Sequence, residues 1–287
     1  MRHAAATAAL LLLAAGRAAA APETAESIPE LARRAAGAGS STEERTRNLV
    51  TWMQRSFEWT WTDYAARTPE EVIARRGGNC AELASVLETL LGALGIESRW
   101  IAEVNIQPRS EERQSRAEKR IREVGDKASV FGLEHNDHRW LEVRDEKTGE
   151  WFPADPAVGV VGLHAWLAAR VAFGKRPDPA LPAVAEITKD MIVPIAILTL
   201  KGGRHGSPDE DRSNYYLIEQ LDLYYDRWLH LLPEWNEWTR RIQDMAAPAR
   251  GAFAGKMNLH EEEGRIARLG AAYEALGAEV EKRHLSP

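Results

Sequence analysis

Apolar positions recur along the chain at two periods, and the changes of period divide it into elements. Leu49, Val50, Trp52, Met53 and Phe57 form a stripe at helical spacing. The Ser41-Thr42-Glu43-Glu44 run before them has the side-chain-to-backbone pattern that opens a helix. A shorter helix is expected over 29–36, stopped by Gly37-Ala38-Gly39. Residues 57–61 alternate like a short strand or extended segment. Thr68-Pro69-Glu70-Glu71 then starts another helix, with Thr68 as cap and Pro69 in the first turn, ending at Gly77-Gly78-Asn79. The next helix begins at Cys80, buries Leu83, Leu87, Leu90, Leu91 and Leu94 along one face, and stops at Gly95.

Downstream the period becomes that of strands. Ser98–Ile106 reads as a strand. The segment 107–134 breaks the pattern: twelve of the nineteen residues from Arg109 to Lys127 are charged, which predicts a solvated insertion. Arg139-Trp140-Leu141-Glu142-Val143 and Glu150-Trp151-Phe152-Pro153-Ala154-Asp155 flank a turn at 145–149, the pattern of a β-hairpin. A helix over 163–173, a proline-rich loop over 174–190 and a buried strand over 191–200 follow. From Ser213 onward the pattern is helical, with Pro233 and Pro248 as expected breaks. The final helix, 260–282, carries Ile266, Leu269, Tyr273 and Leu276 on one face. Tyr215, Tyr216, Tyr224, Tyr225, Trp228, Trp235 and Trp238 read as a helix-packing core, with an aromatic groove for peptide or glycan as the alternative.

The N-terminus changes the picture of where this chain works. Met1-Arg2-His3, an uncharged run containing Leu10 to Leu13, and small residues through Ala20 together have the outline of a secretory signal peptide. The expected organisation is therefore a signal peptide at 1–20 and a linker with a short helix at 21–40. An α+β core at 41–205 and a helical C-terminal region at 206–287 follow. Export would leave the mature chain without a membrane segment, in a periplasm or outside the cell, since the apolar run 191–200 is too short to span a bilayer. The full chain has a net charge of −6; without Arg2 and Arg17, 35 basic residues face 43 acidic ones and the charge becomes −8. That balance argues against nucleic acid as a partner.

Exported proteins commonly pair their cysteines, yet Cys80 is the only one. It excludes an internal disulfide, a CxxC redox pair and a cysteine-only zinc site. At a helix start it would meet unpaired N–H groups and the positive end of the helix dipole, both of which favour thiolate. The hairpin supplies partners. With the turn at 145–149, His138 falls opposite Asp155 or Pro156, and opposed residues lie about 4.5–5.5 Å apart at Cβ. His138 and Asp155 can then hydrogen-bond, the arrangement that orients a catalytic imidazole. Taken singly, His138 also reads as a strand-edge histidine, Asp155 as a turn aspartate and Cys80 as a core thiol. His135 with His138 makes an H-x-x-H spacing, but no third or fourth ligand follows from the sequence, and no metal or other cofactor is expected. Asp209-Glu210-Asp211 and Glu261-Glu262-Glu263 read as solvated surface, and Gly202-Gly203-Arg204-His205-Gly206 does not match a phosphate loop. His164-Ala165-Trp166 follows Asp155 and reads as part of a helix.

Gly78-Asn79-Cys80-Ala81-Glu82-Leu83, His138-Arg139-Trp140-Leu141-Glu142-Val143 and Gly149-Glu150-Trp151-Phe152-Pro153-Ala154-Asp155-Pro156 resemble, in that order, the core of the transglutaminase-like superfamily. The resemblance covers about 42–165. It implies a papain-like α+β fold in which a cysteine-bearing helix packs on an antiparallel sheet carrying His and Asp. It also implies roles: Cys80 as nucleophile, His138 as general base and acid, and Asp155 as the group orienting His138. The Cys80 backbone N–H would stabilise the oxyanion, with Trp59 or Trp61 as a candidate second donor. The implied chemistry is acyl transfer through a thioester, as an exported peptidase or amidase acting on peptide or protein amides, cell-wall peptide among them. A protein-glutamine transglutaminase and a non-catalytic binding module of the same fold are the alternatives. The charged insertion is expected to border the cleft.

Overall fold

A computed structural model describes residues 26–60, 66–106, 135–171, 173, 193–257 and 259–283. The expected signal peptide, the charged insertion 107–134, the loop 174–190 and Trp61 lie outside the described residues. The N-terminal half supplies helices: α1 (Ile28–Ala36), α2 (Thr42–Ser56), α3 (Pro69–Arg75) and α4 (Cys80–Ala93). Their starts are chemically specified. Ser41 Oγ accepts from Glu44 N, and Thr68 and Glu71 close a reciprocal capping box with Pro69 in the first turn. Between them, β1 (Glu58–Trp59) pairs in parallel with β2 (Gly77–Gly78), so the glycine pair expected only to end a helix is itself a strand. The helix ends one step earlier, at Arg76 with φ 56°.

The centre of the molecule is a six-stranded antiparallel sheet. It comprises β3 (Ser98–Ile106), β4 (His135–Arg144), β5 (Trp151–Asp155), β6 (Val160–Val161), β7 (Val193–Lys201) and β8 (Ser207–Asp211), in the order β6-β5-β4-β3-β7-β8. α5 (Leu163–Arg170) follows β6. A π-helical turn at Tyr215–Glu219 leads into α6 (Gln220–Tyr224), and the long helices α7 (Pro233–Phe253) and α8 (Glu263–Lys282) complete the chain. The α+β expectation therefore holds, with an antiparallel sheet as its framework.

Two buried clusters flank that framework. One joins α1, α2 and α4 to Trp100, Ala102, Leu141, Val143 and Ala154. The other joins Ile101, Trp140, Trp166 and Val193, Ile195, Ala196, Ile197 and Leu198 of β7 to Tyr216, Trp238, Leu269 and Tyr273. Sequence neighbours such as Trp140 and Leu141 enter different clusters, as the alternation of a strand requires when both sheet faces are covered. The tyrosine and tryptophan positions of the C-terminal region go mainly into this second core.

One expectation holds with an addition and one needs correction. Asp209-Glu210-Asp211 is exposed, as expected of solvated surface, and belongs to the edge strand β8, paired with β7 through Leu198↔Asp211 and Leu200↔Pro208. Charged side chains on an edge strand keep it from pairing with other chains, and they conceal its strand character in the sequence. Pro248 does not break a helix; it lies buried within α7. A proline there leaves the carbonyl four residues back, that of Asp244, without its helical donor. Arg265 of α8 supplies a replacement: its Nη1 donates to Asp244 O at 3.0 Å.

Candidate active site

The Gly78-Asn79-Cys80-Ala81-Glu82 motif builds the first turn of α4. Asn79 is the cap: its Oδ1 accepts from Glu82 N at 3.0 Å, and Glu82 Oε2 accepts from Asn79 N at 3.0 Å. Glu82 is almost wholly buried, and its other oxygen accepts from Arg67 Nη1 at 2.8 Å. A Cβ on Gly78 would stand 2.8 Å from Glu82 Cβ, so only glycine permits this closure. Neither Gly77 nor Gly78 has a positive φ, so these glycines serve close approach rather than a left-handed turn. Cys80, the first residue of α4, is a free thiol and partly accessible. Its N–H, like others in a first helical turn, has no intrahelical acceptor.

His138 and Asp155 come from β4 and β5 and are both buried. The hairpin register is Arg144↔Trp151 through Leu141↔Ala154, which, continued by one residue, sets Asp155 abreast of Trp140. His138 is thus two residues further along, diagonal to Asp155 and not directly opposite as the turn length suggested. The parity is unchanged, so both side chains remain on one face within reach. His138 Nε2 bonds Asp155 Oδ2 at 2.7 Å. The other ring nitrogen, Nδ1, is not used by Asp155, and Cys80 is near enough to favour charge on the ring. Burial opposes charge on this ring. The Asp155 carboxylate, by its charge and its hydrogen bond, and then Cys80 outweigh burial and raise the His138 pKa from 6.5 to about 10. Burial would likewise push Asp155 upward, but His138 and Arg170 beside it hold its carboxyl below the usual range.

The structure therefore brings Cys80, His138 and Asp155 together. Trp59 lies in β1 abreast of Gly78, two residues before Cys80 in the chain, and is 45% exposed. His135 opens β4, and its side chain lies outside the described residues. His164 is on α5, stacked against Tyr224 at 4.9 Å between ring centroids. Among the described residues no group of three or more His, Cys, Asp or Glu side chains is placed to hold a metal ion.

Two site-adjacent residues escaped the sequence reading. Arg170, the last residue of α5, is buried and donates from Nη1 to Asp155 Oδ2 at 2.7 Å. It also pairs with buried Glu103 of β3. Glu103 had a readable signal, being a charged residue among the apolar positions Ile101, Ala102 and Val104 of its strand. Arg170 had none, because a basic residue at a helix end is ordinary.

Residues 29–156 match the family model of the transglutaminase-like superfamily. The chain carries a transglutaminase-like core. Cys80, His138 and Asp155 all fall within that match, on α4, β4 and β5. Two solved structures are similar to the chain. One is a candidate cysteine protease from Cytophaga hutchinsonii, 16% identical, with a TM-score of 0.33, covering 47% of this chain. This chain spans 39% of that protein's length. The other is Legionella pneumophila LapG, 14% identical, with a TM-score of 0.26, covering 70% of this chain and 95% of LapG. A search of curated proteins returns no match. The transglutaminase-like core accounts for the cysteine helix and the strands through β5. The match ends before β6 and α5, and so before Arg170.

Among the described residues no helix is long and apolar enough to cross a membrane.

Proposed function

We propose that this protein is an exported, cysteine-dependent acyl-transfer enzyme that hydrolyses peptide or protein amides through a Cys80 thioester. The observation that carries the reading is the His138 ring held between Asp155 and Cys80 and favoured in its protonated form. The Cys80 thiol passes its proton to His138 as attack begins. Cys80 Sγ attacks the amide carbonyl carbon and forms the C–S bond. The oxyanion is received by the Cys80 backbone N–H, with an indole N–H of Trp59 or Trp61 as second donor. His138 Nδ1 gives its proton to the leaving nitrogen as the C–N bond breaks. Water then attacks the thioester and passes a proton to Nδ1, and the carboxylic acid departs as Sγ regains its charge. Asp155 stays ionised throughout and orients the ring.

Export rests on the basic start, apolar run and small residues of 1–20. The substrate class is peptide or protein, cell-wall peptide included. No step requires a cofactor, and the charge of the mature chain disfavours nucleic acid.

The test is direct. Purified mature protein is incubated with peptide, peptidoglycan and glutamine-donor libraries, and the Cys80 acyl-enzyme is trapped and weighed by mass spectrometry. Hydrolysed amides with a Cys80 adduct support the proposal. Incorporation of a donor amine into glutamine would redirect it to transamidation. Iodoacetamide labelling of Cys80 no faster than a free thiol, with no adduct from any library, would leave a binding module.

A further inference from the structure

The strand register sets Glu103 of β3, not Asp155, directly across from His138. Glu103 is buried, and directly opposed side chains share a face about 4.5–5.5 Å apart at Cβ. His138 nonetheless bonds the diagonal carboxylate of Asp155. Arg170 provides the reason. Its guanidinium spans both acids, with Nη1 on Asp155 Oδ2 at 2.7 Å and Nη2 on Glu103 Oε1. Trp140 Nε1 holds Glu103 Oε2 at 2.8 Å, and Asn105 Nδ2 reaches Oε1 at 3.3 Å. Asp155 is filled as well: its Oδ1 accepts from Ala157 N and Val158 N at 3.1 and 3.3 Å. Burying one arginine and two carboxylates is costly unless each is compensated, and here each is. Among the described residues, the charged or titratable groups facing His138 from the elements packed around it are Cys80 of α4, Glu103 of β3 and Asp155 of β5. Arg170 of α5 adds to these through Asp155.

We propose that Arg170 and Glu103 are positioning residues of this site. Arg170 occupies the carboxylate opposite His138 and so assigns the imidazole to Asp155, while Glu103 balances Arg170 so that Asp155 keeps its charge for the ring. This inference rests on the reading of Cys80 and His138 as a catalytic pair. A planar two-pronged guanidinium suits the bridging role, and an ammonium does not.

The balance makes the two residues act in opposite directions. In Glu103→Gln the unpaired Arg170 charge competes with the imidazolium for Asp155, so His138 should lose its proton at lower pH. In Arg170→Gln two carboxylates flank the ring, so it should lose its proton at higher pH. The double variant should return near the wild-type midpoint. Shifts of about one pH unit are expected for a unit charge at this range. The midpoint is read from nitrogen NMR of the 15N-histidine-labelled full chain, with His138→Asn assigning the signal. Cys80 alkylation by iodoacetamide is followed alongside.

Opposite shifts restored in the double variant support the inference. Lowered stability with an unmoved midpoint in both single variants overturns it and leaves the catalytic reading intact. A wild-type ring that titrates like free histidine, with Cys80 alkylating like a free thiol, brings down the catalytic reading itself. Should the single variants not fold, Arg170→Lys decides. It keeps the charge and loses the grip on both acids, and about a tenfold slower alkylation is expected. An unchanged rate overturns the inference.

Discussion

Cys80, His138 and Asp155 each make ordinary interactions for their residue types, and what matters is the order in which protons sit on them. Folded His138 binds its proton more tightly than the unfolded chain does, since its pKa rises from 6.5 to about 10. Its contribution to stability is therefore complete below about pH 6.5 and is lost as pH rises through about 10. Asp155 works the other way: its lowered pKa contributes stability above 3.8 that disappears as pH falls toward the folded value. Urea unfolding across pH should show both slopes, and the alkaline slope should flatten in His138→Gln. Cys80→Ala should abolish turnover while leaving the Tm almost unchanged, because the thiol is partly accessible and sits at a helix start. A Tm fall of core-cavity size would mark it as a packing residue. Gly78→Ala forces a Cβ against Glu82 Cβ at 2.8 Å, with an expected cost of about 1–3 kcal/mol. Cys80 alkylation should slow with it, because Glu82 closes the cap that holds Cys80.

At the scale of elements, α4 was readable almost to its ends, because cap, apolar face and stop are local properties. The hairpin was readable in existence, but its register was open by a residue, and with it the parity that puts His138 and Asp155 on one face. Asp145 N donates to Glu150 O at 2.8 Å, so the pairing continues past the strand ends and sets Asp155 two residues away from direct opposition to His138. The His138–Asp155 bond survived that shift because it depends on sharing a face. In α7, Pro248 shows a local rule overridden by a distant donor. Arg265→Met would leave the Asp244 carbonyl without that donor, and equilibrium unfolding should show a loss of about 1 kcal/mol. Pro248→Ala, which restores the helical donor, should reduce the sensitivity to Arg265→Met.

Across the whole molecule, the sheet is shared property. Glu142 of β4 is buried and bonded by Arg99, Arg212 and Tyr216, the last through its hydroxyl at 2.5 Å. Burial, reinforced by Glu142, raises the Tyr216 pKa well above 10, so the phenol remains a donor. This contact ties the C-terminal region to the strand that carries His138. Tyr216→Phe should lower stability by about 1.5–3 kcal/mol through the lost hydrogen bond to a charged carboxylate, whose Oε1 then keeps only Arg212, measured by urea unfolding. Truncation after residue 205 removes β8 and the helices covering Trp140 and Trp166, and should leave a chain without a cooperative thermal transition. A cooperative transition in the truncated chain would show that the first 205 residues fold alone.

The sequence alone determined what short-range physics controls: helix starts through caps, helix faces through apolar spacing, strand parity through alternation. Those rules were enough to place Cys80 at a helix start and His138 and Asp155 on facing strands of a hairpin, within a residue of register. Tertiary structure decided what depends on contacts between distant segments. It set the hairpin register, joined β8 to the sheet through residues that are charged and exposed, and carried α7 through Pro248. It also placed Arg170, fifteen residues beyond Asp155, between that carboxylate and Glu103, sixty-seven residues back. A buried ion network is chosen by the three-dimensional balance of desolvation and charge, and no local pattern in the chain records that balance.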